Sequence, residues 1–280
     1  MRARAVRLLP VVVGLWSLAP VQPAGQAGAP GALHRPFDEI LDANVRDGFV
    51  YYLALKQTRA ALDRYVSSLE MPAERVERWP REERLALWLN AYNALVLQTA
   101  IDRYPIRGRA PAYPPNSIRQ IPGAFESRTH RVAGRSVTLD EIERIVLPEF
   151  RDPRVYLALG RGATGSGRLR SEAFAGTALE SQLTEATKEF LTTRAHVELD
   201  ALTGELGISA IFGWHESEFV GAFAAGSDPR FASRSPIERA VLSMVVPHLY
   251  SSERAYLDRN EFRVRFKPFD WALNDLTGGR

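Results

Sequence analysis

The sequence predicts a helix-rich α+β domain with short antiparallel strands around one central apolar helix. Three observations predict it. Residues Glu82–Tyr104 read EERLALWLNAYNALVLQTAIDRY, apolar nearly all round, as a buried helix must be. The alternating stretches are short and arranged as hairpins around Ala133-Gly134 and Thr203-Gly204. The strand–helix alternation of a parallel sheet is absent. The chain has 280 residues, 45% hydrophobic and 25% charged, which is globular composition for one large domain or two small ones.

The N-terminus carries Arg2, Arg4 and Arg7, then an apolar run from Leu8 to Leu18, then small residues from Ala24 to Ala29. This is signal-peptide layout, and the run is too short to span a bilayer. The expected organisation is a signal peptide over 1–29, a Pro/Gly/Ala-rich linker through 30–36 and a domain over 37–277, exported to the periplasm or secreted. No later stretch is apolar enough to span a membrane after cleavage. Without the three leader arginines the chain carries 33 basic and 33 acidic residues. That balance speaks against nucleic acid as a partner. Cysteine is absent, which excludes disulfides and thiolate chemistry.

Within the domain, the spacing predicts a helix from Phe37 to Arg46 ended by Gly48, then an extended Val50–Tyr52. A helix follows over Thr58–Leu69, then the long helix, stopped by Pro105, then a Pro-rich loop over 105–115. His130–Thr138 is a hairpin, and T-L-D-E from Thr138 is a capping box opening a helix over Leu139–Leu147. Val155–Leu159 reads as a short buried strand. Thr177–Thr193 is an amphipathic helix, and Val197–Leu199 with Glu205–Ile208 a second hairpin. Short helices cover Ala210–Ala224. Ser235 and Pro236 start a helix to Leu249, and Phe262–Phe266 is a last strand with Val264 inward.

The segment GRGATGSGRLR over 160–170 is the most unusual. Gly160, Gly162 and Gly165 spell G-x-G-x-x-G, but no helix opens after them, which argues against a dinucleotide site. The expected cofactor is none. Backbone N–H groups of such a loop, with Arg161, Arg168 and Arg170, would suit an anion; a solvated surface loop is the plain alternative. Ser166 is a candidate catalytic nucleophile, though its surroundings lack the usual elbow. The five histidines, His34, His130, His196, His215 and His248, have no metal-ligand spacing, so no metal is expected. Core packing accounts for Trp88, Tyr92 and Trp214. Asn90 and Asn93 inside the apolar helix must be hydrogen-bonded, either pinning a loop or lining a cleft.

Several strings carry a resemblance when taken together: VRDGFVYY, LWLNAYNALVL with RYP, NSIRQIPG, VAGRSVTLDEIERIVL, DPRVYLAL, SEAF, ISAIFGWHESEF and VRFKPFDWALND. In order and spacing the chain resembles the domain of unknown function 547 family over about residues 37–275. The resemblance implies a His after Glu143, a His opening the strand read at Val155–Leu159, and two Cys. Here those positions hold Arg144, Tyr156, Arg161 and Ser166. A member without them keeps the scaffold and loses any thiol chemistry. The expected role is therefore non-catalytic binding of an anionic small molecule or peptide at the Gly/Arg loop. Arg144, Arg161 and Arg168 supply charge beside Glu143, and Tyr156 and Trp214 form walls. The alternatives are a hydrolase or acyl transferase using Ser166 with His130, His215 or Glu143, and a protein-interaction scaffold.

Overall fold

The structure, a computed structural model, describes residues 30–278. The expected signal peptide over 1–29 lies outside the described residues. Helix α1 (Pro30–Asn44) already includes residues 30–36, so the linker expected there is helix instead. Tertiary packing decides this, not propensity: His34 hydrogen-bonds Tyr65 at 2.8 Å, and Phe37 stacks on the same ring at 4.7 Å. α1 stops before Gly48. Strands β1 (Val45–Arg46) and β2 (Phe49–Val50) form a hairpin whose two turn residues, Asp47 and Gly48, have φ of 51° and 81°. Both left-handed positions are what a two-residue hairpin requires. Tyr52, expected to be extended, opens α2 (Tyr52–Gln57).

Helices α3 (Ala60–Ser68) and α4 (Ala73–Glu77) lead to α5 (Arg81–Arg103). α5 is buried without a break from Leu85 to Leu97, and α1, α2 and α3 pack against it. Its two asparagines hold chain that would otherwise have no partner. Asn90 both accepts from the Phe174 N–H and donates to the Phe174 carbonyl, each at 2.8 Å. Asn93 accepts from the Gly160 N–H at 2.9 Å. The loop-pinning expectation describes both.

Strands β3 (His130–Val132) and β4 (Arg135–Val137) turn through Ala133-Gly134 as expected. The Thr138–Glu141 capping box is formed and opens α6 (Leu139–Glu141). The helix runs on as a wide π turn, Ile142–Val146, and a tight 3₁₀ turn, Leu147–Phe150. Such wide turns commonly mark functional sites, and this one carries Glu143 and Arg144. The strand expected over Val155–Leu159 is instead a helical turn, α7 (Val155–Ala158), followed by extended Leu159. A short buried apolar run fits strand and helix equally by periodicity. Here local bonds close the turn, from Tyr156 N–H to the Pro153 carbonyl and from Leu157 N–H to the Arg154 carbonyl.

After α8 (Leu179–Thr192) come β5 (Val197–Asp200), β6 (Glu205–Ser209), α9 (Ala210–Trp214), α10 (Glu216–Phe223), α11 (Pro236–Val245), α12 (Ser251–Leu257) and β7 (Arg263–Lys267). α12 has no counterpart in the sequence expectations. β5 and β6 form the expected hairpin, and β7 joins β6 in parallel, giving the order β5-β6-β7. Val264 is half-buried against the core, in keeping with its expected inward side. The tail beyond β7 crosses back over the domain. Its Ala272 and Asp270 carbonyls accept from Thr164 and Gly165, and Asn274 bridges Tyr52 and the Gly48 carbonyl. The result is the helix-rich α+β single domain that the sequence predicts.

His34, His130 and His196 are all buried, and burial holds each of them down to about 4 against an ordinary 6.5. Arg128 adds to the effect at His130 and Lys267 at His196. The unfolded chain binds these protons near pH 6.5 and the folded chain only near pH 4. Their contribution to stability is therefore complete above pH 6.5 and falls as the pH drops toward 4, by up to about 1.4 kcal/mol per unit for each. Urea midpoints measured across pH 7 to 4 should fall steeply. Replacing all three with Gln should flatten the profile, whatever it does to absolute stability.

Candidate functional site

The π turn aims Glu143 into the interior, where it meets Arg161. Arg161 leaves the loop after α7 and is among the largest fully buried side chains, with 1% of its surface exposed. Its Nη2 donates to Glu143 Oε1 at 2.5 Å and its Nε to both carboxylate oxygens at 3.2 and 3.3 Å. Nη1 donates to the Tyr156 carbonyl at 3.1 Å. Glu143 also accepts from the Tyr92 hydroxyl at 2.9 Å, and His215 Nε2 lies 2.9 Å from Oε1. Burial by itself would raise the Glu143 carboxyl. The Arg161 charge and the hydrogen bonds from His215 and Arg161 outweigh it and hold the group well below the usual carboxylate range. Glu143 is thus a permanent anion at neutral pH. Burial, followed by the Glu143 charge, pushes the Tyr92 hydroxyl up.

A cleft of about 300 Å³ opens above this cluster. Glu143, Arg161 and His215 form its floor. Trp214, Trp271, Phe125 and Tyr113 form aromatic walls, and Arg119, Arg144 and Asp140 complete the lining. The Arg119 guanidinium is clamped between Phe125 and Trp271, 4.3 and 4.6 Å from the ring centres, and is paired with Glu126. Arg144 reaches into solvent, its side chain 74% exposed and 3.6 Å from Asp140. Trp214 and Trp271 lie nearly parallel with centres 6.0 Å apart.

Four of the residues singled out in the sequence, Glu143, Arg144, Arg161 and Trp214, meet in this cleft. Tyr156 does not line it. It stacks behind His215 at 3.5 Å and faces a separate apolar recess beside Glu218. Arg168 bridges Glu189 and Asp47 at 2.6 and 3.0 Å at another cleft, and Arg170 pairs with Glu172 and Glu185. The loop arginines therefore do not converge on one anion. Nor is the loop a free nest. The N–H groups of Gly160, Arg161, Thr164, Gly165 and Ser166 donate to Asn93, Ser166 Oγ, Ala272, Asp270 and Ala163. Gly167 packs so tightly that a Cβ would lie 1.7 Å from the Leu157 carbonyl oxygen.

Ser166 faces the same cleft as Arg168, with His196. Its hydroxyl accepts from the Arg161 N–H at 3.0 Å, a bond that closes the loop. Of its expected partners, Glu143 and His215 are bonded to each other in the first cleft, and His130 lies in β3. Sequence reading missed Arg119, Trp271, Phe125, Tyr113 and Asp140 as cleft residues. Arg119 and Trp271 sit in two strings that carry the resemblance, NSIRQIPG and DWALND, and that was their only signal. Among the described residues, no group of three or more His, Asp or Glu is arranged to hold a metal ion.

Fold and site together describe a helix-rich α+β domain with a buried ion pair beneath an aromatic cleft. Residues 76–191 match the family described as protein of unknown function, DUF547, in keeping with the resemblance carried by the sequence strings. No curated protein and no solved structure matches the chain. Among the described residues, no helix is long and apolar enough to cross a membrane.

Removing one partner of a buried pair strands the other charge, at a cost of about 3–5 kcal/mol. Glu143→Gln and Arg161→Met should each destabilise by that order in urea unfolding. The double variant should lose much less than the two single losses combined. Additive losses would show that the two charges do not depend on each other.

Proposed function

We propose that the protein is an exported binding protein whose first cleft takes a small anionic molecule or a peptide carboxylate without turning it over. The observation that carries this reading is the pairing of cation and aromatic surface in one small cleft. Arg119 is held rigid between Phe125 and Trp271, and Arg144 stands beside it with most of its surface open. A guanidinium clamped by rings has already lost its rotamer freedom, so an anion gains more from it. The tryptophans offer apolar surface for the rest of the ligand. This differs from the Gly/Arg loop expected from sequence, where Arg168 and Arg170 are each held by two carboxylates, whereas Arg119 and Arg144 each have one.

The lining offers no serine or threonine hydroxyl among the described residues and the chain has no cysteine thiol, so the binding reading invokes no covalent nucleophile. Glu143 and Arg161 are locked as an ion pair and have no proton to exchange near neutral pH.

Calorimetric titration with N-acetyl-phenylalanine tests the reading, since that molecule combines one carboxylate with one ring. Saturable binding is expected, with no binding of N-acetyl-phenylalaninamide, which lacks the charge. Replacing Arg119 and Arg144 together with Ala should weaken binding by tenfold or more, as loss of charge-assisted bonds does. Equal binding of acid and amide, or no binding of either, would overturn it. Export rests on the charged n-region and the short apolar run. When the full chain is expressed with a secretion-competent bacterial host, N-terminal sequencing should find a mature chain beginning after one of the small residues from Ala24 to Ala29. An intact Met1 end in the cytoplasm would refute export.

A further inference from the structure

His215 is the group in the cleft floor whose second ring nitrogen is unused. Nε2 faces Glu143 Oε1 at 2.9 Å, and the imidazole is held flat against Tyr156 with ring centres 3.5 Å apart and planes 5° apart. Because Glu143 is an anion with three other donors already on it, it accepts from Nε2. In the neutral form of the ring, that bond puts the hydrogen on Nε2 and leaves Nδ1 as an acceptor. Nδ1 makes no hydrogen bond to any described residue, and it is not among the buried polar atoms that lack a partner. A ring nitrogen that is neither bonded nor sealed, in a side chain that lines the cleft, is offered to whatever occupies the cleft.

We infer that His215 Nδ1 selects ligands that present an N–H or O–H donor beside their carboxylate, as the terminal residue of a peptide does. In this arrangement the carboxylate meets Arg119 and Arg144, the terminal side chain lies against Trp214 and Trp271, and the last amide N–H donates to Nδ1. A lone carboxylate on a ring meets the first two conditions and leaves Nδ1 without a partner. His215 is thus the specificity-determining residue of the cleft, set in one tautomer by Glu143 and in one plane by Tyr156. A site built to hydrogen-bond a ligand group discriminates strongly against the analogue lacking it, because its own polar atom is left unpaired.

This inference rests on the binding reading above, and the experiment separates the two. N-acetyl-phenylalanine is compared with N-acetyl-N-methyl-phenylalanine, which keeps the acid, the ring and the acetyl group and lacks only the donor. Calorimetry on the wild-type chain should show the methylated ligand binding at least tenfold more weakly. In His215→Phe, which preserves the ring packed on Tyr156 and removes the acceptor, the two ligands should bind within about twofold of each other. The added methyl group is present in both measurements, so bulk alone would leave the tenfold difference intact in the variant. That outcome, or equal binding of the two ligands to the wild type, would overturn the role of His215 while leaving the anionic cleft standing. Failure of both ligands to bind, with the neutral amide also silent, would overturn the binding reading and the inference with it.

Discussion

Arg161 and Glu143 meet in the interior, with 1% and 9% of their surfaces exposed. Two charges in such a place cost several kcal/mol each in lost hydration, and only close geometry with added hydrogen bonds recovers it. Every element near the pair is arranged to supply those bonds. α5 provides the Tyr92 hydroxyl, α7 the Tyr156 carbonyl, and the end of α9 the His215 imidazole. The wide turn after α6 carries Glu143 inward while Arg144, the next residue, points outward. The pair thereby fixes four segments that are distant in sequence relative to one another, and the cleft is the space left above them.

The cleft also depends on chain outside the residues that match the family. Glu143, Arg144, Arg161 and Arg119 fall within 76–191, whereas Trp214, His215 and Trp271 come from later elements. The tail brings Trp271 into place because its backbone is tied to the Gly-rich loop through Thr164 and Gly165, and to the first hairpin through Asn274. The Gly-rich loop thus serves as a buried anchor. Its glycines answer steric demands, such as the Leu157 carbonyl against Gly167, and a φ of 66° at Gly162. The N–H groups of Thr164 and Gly165 hold the tail, and those of Gly160, Arg161 and Ser166 are bonded to Asn93, Ser166 Oγ and Ala163. The same segment that looked from sequence like an anion nest instead positions an aromatic wall of a neighbouring site.

The histidines show how far composition alone misleads about a site. Each of the five looks equivalent when scattered along the chain. Burial makes His34, His130 and His196 neutral fillers of the interior, and a carboxylate bond makes His215 a fixed hydrogen-bonding group. Distinguishing these fates requires knowing which carboxylate or ring comes within 4 Å, and sequence spacing does not carry that.

By itself the sequence determined what local chemistry decides. The apolar run of α5, the capping box at Thr138, the hairpin turns at Ala133-Gly134 and Thr203-Gly204, and the need of Asn90 and Asn93 for partners were all legible, because each depends on a few adjacent residues and on backbone sterics. The resemblance to the family that residues 76–191 match was legible through strings that keep those local features in order. The helical state of residues 30–36 and of Val155–Ala158 was not, because packing against Tyr65 and local turn bonding overrode a composition that suits other conformations. The site was half legible. Glu143, Arg144, Arg161 and Trp214 were named, yet their division into a locked floor and an open rim was decided by the tertiary structure alone. How much charge an arginine has left for a ligand depends on how many carboxylates hold it and how deeply it is buried, and those partners are 18 residues away at Arg161 and 121 away at Arg168.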